Sequence, residues 1–152
     1  MKRVVRVTGE SMAPTFRSSD LLLTRPVGRA GVRVRRGDVV VFRHGGLRMI
    51  KRVVGVPGDV VVLEAGHLSV NGVAVDGRPR VAGAYPQTWR VPGGSYFMAG
   101  DNPSASGDSR VWDESFVSGE AVDAVVVLRL VGRRPATGLR PRRPVAATGR
   151  AR

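Results

Sequence analysis

The chain has 152 residues, no cysteine and a formal net charge of +13 at pH 7. Its length fits one domain of ordinary size, and a hydrophobic content of 42% is sufficient for a packed core. The missing cysteines exclude disulfides, thiol catalysis and cysteine-ligated metals. The two histidines, His44 and His67, are far apart in sequence and each is next to a glycine. We therefore predict no metal site and no cofactor.

The positive charge is unevenly distributed. Seven of the 25 basic residues lie between Arg133 and Arg152, in a segment without acids that is rich in Pro, Gly, Ala and Thr. This pattern predicts a domain over residues 1–132 and a disordered basic tail over residues 133–152. The tail could solubilise the domain, make peripheral contact with anionic lipid headgroups, or touch nucleic acid, although no specific nucleic-acid partner is expected.

Short β-branched segments separated by turn residues predict an all-β fold, either a partly open antiparallel barrel or paired sheets. Asn71-Gly72 favours a type I′ hairpin between two of these segments. The stretch Arg78–Arg90 is predicted to be a loop, and only Asp113–Glu120 is expected to hold a helical turn. The predicted strands are Val4–Val7, Leu21–Thr24, Val39–Phe42, Leu47–Val56, Val60–Leu63, Leu68–Val70, Val73–Val75, Ser95–Ala99 and Ala121–Val131.

Ser11 lies in a non-regular turn bounded by Gly9 and Pro14, where a hydroxyl is reachable. Such serines are usually structural, and Lys51 is what makes a catalytic role worth considering. Side chains alternate along a strand, so Lys51 shares its face with Met49 and Val53. One interpretation is an edge lysine that discourages aggregation. The other is a desolvated amine with a lowered pKa, which could take the proton of a serine hydroxyl.

A polar segment from Gly100 to Arg110 follows the predicted strand Ser95–Ala99. It is either a loop held by an Asp108–Arg110 pair, or a support that also supplies a hydroxyl, such as that of Ser106, to orient the lysine amine. A Ser-His-Asp triad is disfavoured, because neither histidine has an obvious orienting carboxylate in the sequence.

The sequence resembles the type I signal peptidases, a family of serine–lysine endopeptidases. Four motifs carry the resemblance in the family's order, over about Val7 to Val131. They are Ser11-Met12-Ala13-Pro14-Thr15, Arg36-Gly37-Asp38-Val39-Val40-Val41-Phe42, Ile50-Lys51-Arg52-Val53-Val54-Gly55-Val56-Pro57-Gly58-Asp59, and Gly100-Asp101-Asn102 with Ser106, Asp108, Ser109 and Arg110.

The resemblance implies a role for each matched residue. Ser11 would be the nucleophile, and its backbone N–H would contribute to the oxyanion hole. Lys51 would be the general base, and Ser106, Asp108 and Arg110 would orient and support it. The substrate would be a signal or leader peptide of a preprotein, bound in extended form beside a strand and cleaved after small residues, with Met12 and Met49 in contact with it.

The family also implies a membrane-associated location on the extracytoplasmic face, where an N-terminal anchor holds its members. Here only ten residues precede Ser11, and no apolar run reaches the roughly 18 residues that span a bilayer. A soluble cytoplasmic location is therefore the alternative. Two other functions stay open, namely a maturation protease dedicated to one partner protein and a self-cleaving, repressor-like regulator.

Overall fold

In the computed structural model, the described residues are 1–28, 33–75 and 85–131. They form two antiparallel sheets and little helix, which confirms the all-β prediction. The strands are β1 (Arg3–Arg6), β2 (Leu21–Pro26), β3 (Val39–His44), β4 (Leu47–Gly55), β5 (Val60–Glu64), β6 (His67–Val70), β7 (Val73–Ala74), β8 (Gln87–Arg90), β9 (Ser95–Ala99), β10 (Phe116–Ser118) and β11 (Val122–Val131).

The larger sheet has seven strands in the order β1-β2-β11-β3-β4-β9-β10. Strand β3 lies near its centre, and its first four residues, Val39–Phe42, are all buried. This explains why that segment is continuously apolar instead of alternating, because both of its faces are covered. Phe42 and Val40 pack with Val53 of β4 and Met98 of β9 in the core of this sheet.

The smaller sheet has four strands in the order β7-β6-β5-β8. Its inner face, with Val61 and Leu63, packs against Val54 and Phe97 from the end of the larger sheet. Its β6–β7 hairpin is the one predicted at Asn71-Gly72, and the positive φ angles of 51° and 81° at these two residues are those of a type I′ turn.

Two predicted segments differ from the structure. Gln87–Arg90, placed in a loop by the sequence, is β8 and pairs with Val60–Leu63 of β5. Asp113–Glu120, the expected place for a helical turn, instead contains β10, which pairs with β9 and leads into a 3-10 turn at Gly119–Ala121. Neither segment has the apolar alternation that predicts a strand. Each forms a strand because a neighbouring strand offers backbone N–H and C=O groups that need hydrogen-bond partners.

Two incompletely paired strands matter for the site. Strand β1 is at the edge of the larger sheet and pairs with β2. Strand β4 pairs with β3 from Leu47 onward, but its register with β9 begins only at Arg52. Within the described ranges, the first half of β4 therefore pairs on one side only. Such unpaired edges are where an extended peptide can add a strand.

No helix in the described parts of the chain is long and apolar enough to cross a membrane. The predicted basic tail, residues 133–152, lies outside the described residues, as does the 78–84 part of the predicted loop. The domain boundary after residue 132 therefore stays a prediction.

Candidate active site

A cleft of about 450 Å³ lies between β1 and the first half of β4. Both half-paired strands line it, and the turn that follows β1 reaches it at its end. Its residues are Val4, Val5, Arg6, Val7, Thr8, Ser11, Met12, Val41, Arg48, Met49, Ile50 and Lys51. The structure therefore places two sequence-predicted residues, Ser11 and Lys51, in one open depression.

The Ser11 turn is held in place by the segment that follows β9. The Ser11 carbonyl accepts a hydrogen bond from the backbone N–H of Asn102 at 2.9 Å, and the Asn102 side-chain amide donates to the Glu10 carbonyl at 3.0 Å. Below the turn, the Met12 side chain is 1% exposed and anchors it in the core. These contacts leave the partly exposed Ser11 hydroxyl at the cleft in a defined position.

Lys51 comes to Ser11 from β4, forty positions away in the sequence. Its Nζ lies 2.7 Å from Ser11 Oγ, which is the distance of a short hydrogen bond. The lysine is only 6% exposed, and its neighbours at alternate positions, Met49 and Val53, both pack in the core of the larger sheet. Of the two interpretations of Lys51, the structure contains the desolvated amine and not the exposed edge lysine.

The surroundings of Lys51 favour its neutral form. Burial lowers the pKa of the Lys51 amine below its ordinary value of 10.5, because an ammonium ion loses hydration in this position. The negative charge of Asp108 acts in the opposite direction, and the positive charge of Arg110 lowers the pKa further. The pKa is lowered on balance, so a larger fraction of the amine is unprotonated near neutral pH than in a free lysine.

Asp108 and Arg110 form an ion pair that is removed from solvent. Arg110 Nη2 is 2.5 Å from Asp108 Oδ2, and the two side chains are 3% and 0% exposed. Burial acts to raise the pKa of Asp108, but hydrogen bonds and charge from Arg110, with hydrogen bonds from Ser106 and the Gly100 N–H, outweigh it and hold the pKa below its ordinary value. The carboxylate is therefore charged and nearly neutralises Arg110 beside the amine.

Ser106 is buried in the same segment and donates its hydroxyl hydrogen to Asp108 Oδ2 at 2.6 Å. A Cβ built on Gly100 would overlap Ser106 Oγ and lie 2.5 Å from the Ser11 carbonyl oxygen. Since Gly100 is this close to both serines, Ser106 lies next to the Ser11 turn. The Ser106–Lys51 hydrogen bond implied by the family resemblance remains a proposal.

Three further residues connect the site, and the sequence reasoning assigned them no role. Asp101 accepts two hydrogen bonds from the Arg52 guanidinium, at 2.7 and 2.8 Å, and one from the Thr15 hydroxyl at 2.6 Å. Thr15 lies four residues after Ser11 and Arg52 lies directly after Lys51, so the Asp101 carboxylate connects the two segments. All three residues lie inside the motifs quoted above, but no sequence pattern shows that they meet.

The two methionines predicted to contact substrate both line the cleft. Met12 is almost fully buried beneath the Ser11 turn, whereas Met49 is partly buried on β4. Neither histidine lines the cleft, and His44 instead stacks on Trp112 with ring centroids 3.7 Å apart.

A buried amine within hydrogen-bond distance of a serine hydroxyl, at the end of an open cleft, is the arrangement of a candidate serine–lysine hydrolase. Residues 2–131 match the family described as "Signal peptidase, peptidase S26". The chain belongs to this family, as the four motifs indicated.

Individual relatives agree with this assignment. The chain is 36% identical to signal peptidase I of Bacillus caldolyticus, over 68% of this chain and 66% of that protein. It is 30% identical to signal peptidase I of Pseudomonas fluorescens, over 84% of this chain and 61% of that protein. The crystal structure of a signal peptidase I from Enterococcus faecalis V583 superimposes with a TM-score of 0.50 and 28% identity, covering 62% of this chain and 97% of that one.

The match to the Pseudomonas relatives covers about three fifths of their length, 61% for both P. fluorescens and P. aeruginosa.

Proposed function

We propose that this chain is a serine endopeptidase that cleaves N-terminal signal or leader peptides after small residues, with Ser11 as nucleophile and Lys51 as general base. The observation that carries the proposal is the 2.7 Å separation of Lys51 Nζ and Ser11 Oγ at the cleft. Membership of a peptidase family and the lowered pKa of Lys51 both support it.

The reaction would begin with neutral Lys51 accepting the hydroxyl proton of Ser11 as Oγ attacks the carbonyl carbon of the scissile peptide bond. The backbone N–H of Ser11 would donate to the oxyanion that forms, a contribution worth a few kcal/mol in the transition state. Protonated Lys51 would then give its proton to the leaving amine as the C–N bond breaks. Water, deprotonated by the same amine, would hydrolyse the acyl-enzyme and restore Ser11.

Ser106, Asp108 and Arg110 would support this cycle without touching the peptide. Their ion pair lies beside the Lys51 amine, where the two opposite charges largely cancel. The balance matters because an unpaired Asp108 would stabilise the ammonium form of Lys51 and remove the base. We therefore propose that these residues keep Lys51 oriented and neutral.

The substrate would lie extended in the cleft, with its backbone paired to the free edge of β1 or of β4. In that position one carbonyl carbon of the peptide would lie within reach of Ser11 Oγ. Met12 and Met49, which both line the cleft, would contact side chains near the scissile bond. The preference for small residues is argued from family membership. Location on the extracytoplasmic side of a membrane belongs to the same proposal and is argued from family membership alone.

Purified protein incubated with a leader peptide containing Ala-x-Ala should cut it directly after the second alanine. Mass spectrometry of the two products identifies the bond. The same peptide with leucine in place of both alanines should be cut much more slowly, because the proposed specificity is for small residues at these two positions. Intact peptide after prolonged incubation would contradict the proposed activity.

The pH dependence of kcat/KM should report the Lys51 amine. The base works only when unprotonated, so activity is expected to rise with pH as the proton leaves. Because burial lowers the pKa of Lys51, the midpoint of the rise should fall below the roughly 10.4 of an ordinary lysine. A rise centred on the ordinary lysine pKa would mean that the amine is not desolvated in the working enzyme.

A further inference from the structure

We propose that His44 and Trp112 are positioning residues for the proposed base. Their stacked rings, here called the aromatic stack, hold the support segment, residues 100–110, beside the Lys51 amine. This inference rests on the proposed peptidase function and adds to it two residues that act through the surroundings of Lys51 and do not line the cleft.

The support segment is attached to β9 by backbone hydrogen bonds. The Met98 N–H donates to Ser109 Oγ at 2.8 Å, and the Ser109 N–H donates to the Met98 carbonyl at 3.1 Å. The register of β9 with β4 begins only at Arg52. In the described part of the chain, pairing with β9 therefore does not extend to Lys51 or to the β4 residues before it.

Trp112 connects the support segment to a second strand. Its backbone N–H donates to the Asp108 carbonyl at 3.1 Å, so the indole is held by the same turn as the buried ion pair. The indole contacts Phe42 edge to face, with ring centroids 6.3 Å apart, and stacks on His44 at 3.7 Å with an interplanar angle of 17°. Both partners belong to β3, so the turn is fastened to the β3–β4 hairpin as well as to β9.

The strand register places the aromatic stack on the same face of the sheet as Lys51. Phe42 is the cross-strand partner of Met49, and His44 is that of Leu47. Residues two apart in a strand point to the same face, so both of these β4 residues share a face with Lys51. The stack therefore lies on the part of the hairpin that β9 does not pair with.

Loss of the stack should change the hydration of the Lys51 amine. Burial is the largest influence on the pKa of Lys51 and lowers it, while the charge of Asp108 raises this pKa and that of Arg110 lowers it. Without the stack, the support segment is freer to separate from the hairpin, and water reaches the amine. The pKa of Lys51 then rises toward its ordinary value, so less of the base is neutral at pH 7.

Two variants each remove one ring of the stack, His44→Ala at a half-buried position and Trp112→Leu. In both, kcat for an Ala-x-Ala leader peptide at pH 7 should fall about three- to tenfold, the order of magnitude that one aromatic pair contributes. The midpoint of the pH dependence of kcat/KM should rise by about half a pH unit to one unit, which corresponds to the same loss of neutral amine. KM should change little, because neither residue lines the cleft.

Rescue by His44→Phe tests the stack itself. Phenylalanine keeps a planar ring that stacks on the indole but has no ring nitrogen, so this variant should keep the wild-type kcat and midpoint. The double variant His44→Ala, Trp112→Leu should resemble Trp112→Leu alone, since the two residues act through one contact. The two His44 variants keep the test decisive if Trp112→Leu fails to fold.

The other histidine and the other tryptophan of the chain are the matched controls. His67 is exposed on β6, and Trp89 of β8 packs on Phe97 with ring centroids 4.8 Å apart. His67→Ala and Trp89→Leu should keep the wild-type midpoint. An unchanged midpoint and kcat in both His44→Ala and Trp112→Leu, equal shifts in the controls, or a His44→Phe variant as impaired as His44→Ala overturns the inference alone. Failure of the wild-type chain to cleave the peptide contradicts the proposed function and the inference together.

Discussion

Replacing Lys51 with methionine is expected to reduce kcat/KM for an Ala-x-Ala leader peptide by at least about 10³-fold, because Ser11 would lose the proposed base, the amine that lies 2.7 Å from its hydroxyl oxygen. Methionine is close to lysine in shape and is apolar, which suits a side chain that is 6% exposed. Initial-rate kinetics measure the loss. Circular dichroism and thermal unfolding should show a folded protein with a midpoint no lower than that of the wild type.

Two comparisons make this result specific. Ser11→Ala should lose as much activity as Lys51→Met, and the double variant should lose little more, since the proposed mechanism makes the two residues act as one unit. Lys2 is the only other lysine of the chain and is exposed, so Lys2→Met should retain wild-type kcat/KM. Substantial cleavage by Lys51→Met would rule out Lys51 as the base.

Asp108→Ala is expected to cost about 3–5 kcal/mol of the free energy of unfolding, because it leaves the Arg110 guanidinium buried without its counter-charge. The Arg110 side chain is 3% exposed and has little water available as a replacement partner. The same substitution removes the carboxylate that accepts from Ser106 and the Gly100 N–H, so the segment beside Ser11 should loosen. Urea unfolding followed by tryptophan fluorescence measures the change.

Asp123→Ala provides the control for this prediction. Asp123 pairs with Arg43 at 3.2 Å, but those side chains are 34% and 61% exposed, so the loss should stay below about 1 kcal/mol. The pH dependence of wild-type stability gives a second check. The pKa of Asp108 is lowered in the folded state, so its contribution is present above the unfolded-state pKa and should disappear as the pH falls through the folded-state value. Similar losses in the two variants would contradict the importance of burial.

The local pattern of the sequence predicted most of the strands correctly. Alternation along Leu47–Val56 and the continuous apolar run Val39–Phe42 both correspond to strands, and Asn71-Gly72 marks a real hairpin. These features are local, because strand periodicity and turn conformation depend on adjacent residues. Strands β8 and β10 were not predicted, because their formation depends on distant partners and not on a local pattern. Each is short and without apolar alternation, and each exists because a partner distant in sequence accepts its backbone hydrogen bonds.

The candidate site likewise combines features that the sequence predicted with features that it could not predict. The sequence motifs pointed to Ser11 and Lys51 as a pair, and strand alternation placed Lys51 on a face between apolar neighbours. The connection of Thr15 and Arg52 through Asp101 could not be predicted, because Thr15 and Asp101 are 86 positions apart and their contact depends on how the chain segments pack.

By itself, the sequence determined that this chain is an all-β protein with a serine in a reachable turn and a lysine set among apolar residues. It determined this through local rules of periodicity, turn chemistry and burial. Only the tertiary structure decided that Lys51 Nζ lies 2.7 Å from Ser11 Oγ, that Asp108 and Arg110 are buried as a pair beside them, and that Ser11 and Lys51 line one cleft. These relations depend on strand order and on loops meeting across the sheet, and no local pattern specifies them.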